Sequence, residues 1–141
     1  MDIQQLRIGN WVKRFPYTAG KSPNGQPRMV DGAVKIEIGI LNDISNFPGE
    51  YEPIAITPEI LQRCGFESIT LSNGDKVYHI PCTPPGCTDE YWLRYSHTKG
   101  TAGIVFSSEN SATIHSFPCK YLHQLQNLFY SITGEEMAVA L

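Results

Sequence analysis

Residues 118–134 read PCKYLHQLQNLFYSITG, and the spacing of their apolar side chains decides the fold class. Leu122, Leu125, Leu128, Phe129 and Ile132 recur at intervals of three and four, which sets them on one stripe of a helix over 118–133. Gly134 then supplies the left-handed residue that ends such a helix. The chain before this segment follows period two. Tyr91–Ser96, Gly103–Ser107 and Ala112–Phe117 read as three short strands, separated by turn residues at Lys99-Gly100 and Glu109-Asn110. Regular spacing of that kind predicts an antiparallel meander.

Further toward the N-terminus, Ser68–Leu71 and Lys76–Ile80 flank Ser72-Asn73-Gly74-Asp75, and Asn-Gly is a strong hairpin signal. Residues 57–65, TPEILQRCG, predict a short helix. Thr57 suits the N-cap, Pro58 the first helical position, Glu59 the positive end of the dipole and Gly65 the close. Residues 33–41, AVKIEIGIL, alternate with Val34, Ile36, Ile38 and Ile40 on one face and predict a strand. Residues 5–15 read as a half-buried strand carrying Leu6, Ile8 and Val12, with Gly9-Asn10 as a bulge or turn. Residues 17–32 and the polar NDISNFPGEYEP at 42–53 read as loops. Met137–Leu141 is apolar enough for a short edge strand or for packing on the core. The expectation is one α+β domain over 1–141. It is mainly an antiparallel sheet, or a small partly open barrel, with a short central helix and a C-terminal amphipathic helix.

Composition bounds the function. The chain has 141 residues, 41% hydrophobic and 18% charged, enough for a core without disulfides or metal. Eleven Lys and Arg face fourteen Asp and Glu, for a net charge of -3. A general nucleic-acid binder carries a basic excess, so this balance disfavours nucleic acid as the partner. No apolar run approaches the ~20 residues that cross a bilayer, and MDIQQLRIGN lacks the features of a signal peptide. The expected location is the cytoplasm of a bacterial host cell, with Cys64, Cys82, Cys87 and Cys119 as reduced thiols.

Three segments, LRIGNWV at 6–12, YEPIAITPEILQRCGF at 51–66 and YLHQLQNLFYSITGEEM at 121–137, resemble a family of small proteins encoded in phages, prophages and mobile elements of Bacteroides-type bacteria. The resemblance leaves out residues 17–50 and 81–115. It implies a mobile-element setting and no catalytic residues.

Few residues point to chemistry. Cys82 and Cys87, with His79, His97, His115 and Cys119, contain no second tight pair of the kind that makes a zinc site, so neither metal nor cofactor is expected. No G-x-S-x-G elbow and no phosphate-binding glycine motif is present, and Cys64 falls on the buried stripe of its helix. The acidic pairs read as solvated surface. In Tyr91-Trp92-Leu93-Arg94-Tyr95, one phase puts Trp92 and Arg94 outward, where they could stack a base or anchor a protein; the other makes Trp92 core. Trp11 with Lys13 carries the same ambiguity. His123, with Gln124 and Asn127, lies off the apolar stripe and is either a polar binding face or a plain hydrogen-bonded surface. Lys21 and Arg28 could contact phosphates from their loop.

The expected function is non-catalytic binding: a mobile-element accessory protein that docks on a host protein or assembles with itself as a homo-oligomer. One alternative is sequestration of a small host defence signal such as a cyclic nucleotide. Another is nucleic-acid binding through a small barrel.

Overall fold

The computed structural model describes residues 2–21, 27–106 and 113–141, and among these the side chains outside 16–31, 106 and 113–115. The fold is α+β, with two antiparallel sheets that remain open and do not close into a barrel. The chain divides into two compact units, Met1–Ile54 and Ala55–Leu141.

In the first unit, Leu6-Arg7-Ile8-Gly9-Asn10 is a turn and not the start of a strand. Asn10 N–H donates to the Arg7 carbonyl at 3.0 Å, while the Asn10 side chain accepts from Arg7 N–H at 2.9 Å. The turn requires φ +96° at Gly9, which favours glycine. Ile8 is therefore half exposed instead of sharing a face with Leu6 and Val12. Strand β1 (Trp11–Lys21) pairs antiparallel with β2 (Pro27–Lys35), and β3 (Tyr51–Pro53) joins its other edge. The described parts of 17–32 are thus strand and not loop. Register shifts between Arg14 and Tyr17 and between Thr18 and Lys21 hold Pro16 and Ala19-Gly20. A bulge accepts residues that cannot serve the ladder, so their presence does not end the strand.

The 33–41 strand is also corrected. β2 stops at Lys35, and helix α1 (Ile38–Asn46) begins three residues later. Ile36 and Ile44 are fully buried with Ile40 packed against them, a spacing of four, whereas Ile38 is 75% exposed. The loop expected at 42–53 holds the rest of α1, a 3-10 turn at Pro48–Glu50, and β3. Ile36 and Ile44 join Leu6, Val12 and Tyr51 in the core of this unit.

The second unit follows the sequence closely. Helix α2 (Pro58–Arg63) is capped by Thr57, whose hydroxyl accepts from Ile60 N–H at 3.3 Å. Gly65, at φ +86°, closes it: Gly65 N–H reaches the Gln62 carbonyl at 3.0 Å and Phe66 N–H the Leu61 carbonyl at 3.0 Å. Strands β4 (Glu67–Thr70), β5 (Lys76–Pro81), β6 (Tyr91–Ser96), β7 (Thr101–Phe106) and β8 (Thr113–Pro118) run in that order across one sheet. Ser107 and the Glu109-Asn110 turn lie outside the described residues. Helix α3 (Leu122–Thr133) starts later than Pro118, because Lys120 and Tyr121 N–H both donate to the Gln124 side chain. Met137 is buried, but 137–141 forms no strand; Ala140 N–H bonds the Arg63 carbonyl at the end of α2.

Candidate functional site

Residues directly opposite across antiparallel strands share a face. Tyr78, Tyr95, Ala102 and Phe117 are such a row on one face of the five-stranded sheet. Tyr95 donates its hydroxyl to the Cys119 carbonyl at 3.1 Å, so this face looks toward the start of α3. The opposite face carries Glu67, His79, Arg94, Gly103 and Ser116 in one row, with Ser96 and Thr101 paired in the next. Trp92 and Arg94 lie on this second face, so the sequence phase that set them apart from Leu93 and Tyr95 is correct. The exposure expected from that phase is not. Arg94 is only 9% exposed and Trp92 is half-buried.

Arg94 is held by His79. Its Nε–H donates to His79 Nε2 at 2.7 Å. A nitrogen that accepts this bond carries no proton, which assigns the imidazole proton to Nδ1. Burial, and then the Arg94 charge, lower the His79 pKa from 6.5 to about 4. At neutral pH the pair is a neutral imidazole orienting a guanidinium. Arg94's own pKa is lowered by burial, yet a guanidinium starting so high stays charged. The Trp92 ring centre lies 6.1 Å from that of His79. The Trp92 indole N–H is buried with no hydrogen-bond partner among the described residues.

Beside Arg94 the sheet surface opens into a cleft of about 120 Å³ lined by Arg94, Ser96, Lys99, Thr101, Ser116 and Asp75, among others. Gly103, between Arg94 and Ser116 in the row, adds no side chain to its floor. Lys99 is set by the β6–β7 turn, where Lys99 N–H donates to Ser96 Oγ at 3.3 Å and Gly100 N–H to the Ser96 carbonyl at 2.8 Å. Ser96 Oγ accepts there, which leaves its O–H to donate. Asp75 is oriented by Asn73, whose amide donates to it at 3.1 Å. The cleft therefore gathers two cations, three hydroxyls and one carboxylate.

No protein-family model matches the chain, and neither does any curated protein or solved structure.

Of the residues singled out in the sequence as binding candidates, Trp92 and Arg94 belong to this face, together with His79, a candidate metal ligand in the sequence. Trp11 and Lys13 lie on β1 of the first unit, Trp11 half-buried and Lys13 exposed and paired with Glu52 at 3.3 Å. Lys21 and Arg28 fall on β1 and β2 instead of a loop, and their side chains lie outside the described residues. His123 is buried on α3, stacked 5.9 Å from the Tyr121 ring, and so presents no exposed polar face. Sequence reasoning missed Ser96, Lys99, Thr101, Gly103 and Ser116. One signal was available: Gly103 at the start of a predicted strand, since a strand glycine often marks a bulge, a bend or close approach of another group.

Other reactive groups are quiet. Cys64, Cys82 and Cys119 are buried free thiols with pKa values pushed by burial to about 11, 11 and 12; Cys87 is exposed. His79 Nε2 is taken by Arg94, and no group of three metal-ligating side chains forms among the described residues. In the first unit, Arg14 bonds Asp43 and Glu50, each at 3.0 Å, and donates to the Tyr51 hydroxyl at 2.7 Å. Tyr51 in turn donates to Asp43. Burial and that bond raise the Tyr51 pKa to about 12. This cluster fastens β1 to α1 and to β3.

Proposed function

We propose that this protein works by binding and not by catalysis, and that the cleft beside Arg94 holds a small anionic ligand. The observation that carries the reading is a buried guanidinium, oriented by a neutral histidine, lining a cleft with Lys99 and three hydroxyls. Charge-assisted bonds from arginine and lysine, supplemented by hydroxyl donors, are the usual means of recognising an anion. Catalysis has less support: three of the thiols are buried and strongly protonated, and the His79 lone pair is engaged. Sequestration of a small host signal by a mobile-element protein fits this site. The test is a protein sample taken from cells without exhaustive dialysis, heated, and its supernatant analysed by mass spectrometry. A stoichiometric anionic compound is expected, and its return should shift the backbone amide NMR signals of Ser96, Thr101 and Ser116. Saturating anions that leave those signals unmoved would reject the reading.

Docking on a host protein is a second reading. Ile38, Phe47 and Ile8 in the first unit are 75%, 55% and 50% exposed. Exposed apolar side chains of this size are common contributors to protein interfaces. Ile38→Ser with Phe47→Ser should abolish capture of a specific host protein, while ligand shifts at the cleft stay intact.

A further inference from the structure

We infer that the second unit carries another binding site, and that this site takes a small organic cation with an apolar body. It is a cleft of about 310 Å³ between the loop that follows β5 and the C-terminal end of α3. It shares no residue with the cleft beside Arg94. Its volume lies at the ~300 Å³ lower end for small-molecule pockets.

The walls are mostly apolar. Pro81, Cys82 and Pro85 line the cleft from the loop and Phe129 from α3. Burial pushes the Cys82 thiol up to about 11, so it is protonated and uncharged at neutral pH. Thr83 and Thr133 are neutral as well, which leaves Glu135 as the one charged side chain of the lining. Among the described residues, the Glu135 side chain makes no hydrogen bond and no ion pair; only its backbone is bonded.

The helix end adds to that charge. Glu135 stands two residues beyond Thr133, where α3 stops, and the last turn of α3 holds no basic residue. A helix presents about half a negative charge at its C-terminus, and cations are stabilised there. Carboxylate and helix end therefore have the same sign, and no cation in the lining offsets them.

Both sides of the cleft are fastened. The Thr133 hydroxyl donates to the Phe129 carbonyl at 2.9 Å and accepts from Glu135 N–H at 3.1 Å, which holds the Glu135 backbone against the helix. On the loop side, Cys82 N–H donates to the Tyr91 carbonyl at 2.9 Å and Tyr91 N–H donates to Thr83 Oγ1 at 3.3 Å. A cleft already built costs a ligand little ordering. Its walls take alkyl groups out of water, and its carboxylate meets an ammonium head. A bare metal ion is poorly served, because hard cations need several oxygen ligands and the lining has one carboxylate.

The experiment is an NMR titration of the full chain at neutral pH and constant ionic strength, with butylammonium, butan-1-ol and methylammonium as probes. Butylammonium should move the amides of Thr83, Phe129, Thr133 and Glu135 and leave those of Ser96, Thr101 and Ser116 in place. It should bind about two- to fivefold more tightly than butanol, the range of one solvent-exposed ion pair. Methylammonium lacks most of the alkyl chain and should bind at least about tenfold more weakly. Glu135→Gln should abolish the preference for butylammonium over butanol. The spectrum should stay that of the folded protein, since the exposed side chain gives up no contact. A preference that survives Glu135→Gln overturns the inference, and so do equal affinities of the parent for butylammonium and butanol. Methylammonium binding as tightly as butylammonium overturns it too, because the apolar walls would then take no part. Butylammonium that moves none of the four amides rejects the site outright. All of these outcomes leave the anion reading of the Arg94 cleft untouched.

Discussion

Acid should destabilise the second unit through His79. In the folded protein its pKa is about 4, against 6.5 for an ordinary histidine. As pH falls, the unfolded chain takes up the proton first, so this contribution to stability is complete above 6.5 and is lost as pH drops toward 4. A tenfold difference in proton affinity between the folded and unfolded chain is worth about 1.4 kcal/mol. That gives a loss of about 3 kcal/mol by pH 4, with roughly half of it gone near pH 5.2. Urea unfolding from pH 7.5 to 4 measures it. Trp11→Phe would leave Trp92, whose ring centre lies 6.1 Å from that of His79, as the only indole. The reference is His79→Gln in the same background. Its side-chain oxygen can accept the Arg94 Nε–H, and it has no proton to gain. Between pH 7.5 and 4 the parent should lose about 3 kcal/mol more than the variant, a relative midpoint shift of about 1–3 M urea at the usual slopes. Parallel losses in the two proteins would refute the reasoning, as would an NMR titration of His79 centred near 6.5.

Three further outcomes test the rest of the structure. Asp43→Asn removes the charge that Arg14 and the Tyr51 hydroxyl share, and should cost about 1–3 kcal/mol in urea unfolding. Asn10→Ala should cost about 1–2 kcal/mol by the same assay, because the Arg7 N–H loses its side-chain acceptor, and Gly9→Ala a similar amount from its positive φ. Iodoacetamide at pH 8 should label Cys87 first, with Cys64, Cys82 and Cys119 reacting only after denaturation, as read by intact mass; fast labelling of all four would contradict the burial of those thiols.

The second unit was legible because its signals are local. Thr57, Pro58 and Gly65 bound α2, the apolar spacing of 122–132 draws α3, and turn residues divide the meander. The first unit was misread where one set of letters satisfies two periods. Val34, Ile36, Ile38 and Ile40 alternate, but Ile36, Ile40 and Ile44 are four apart, and the chain changes from strand to helix at Glu37. Tertiary packing decides between the two by burying Ile36 and Ile44 and leaving Ile38 in water. Pro16 and Gly20 misled for another reason: composition cannot reveal that a register shift has room for them.

The site shows where local reading stops. Alternation put Trp92 and Arg94 on one face, but burial of that face depends on what lies above the sheet, and nothing within Tyr91–Ser96 encodes it. Ser116 and Thr101 become neighbours of Arg94 and Ser96 only through the β6–β7–β8 register. Register assembles a buried polar pair here. A cation and a neutral imidazole bring each other no opposite charge, and burial disfavours the charged form of both. A leucine and a valine in their places would pack a sheet face with no such cost. Positions that break the local logic of a fold are where function is expected to reside. The His79–Arg94 pair, more than the conspicuous helix that follows it, is therefore the feature on which the binding proposal rests.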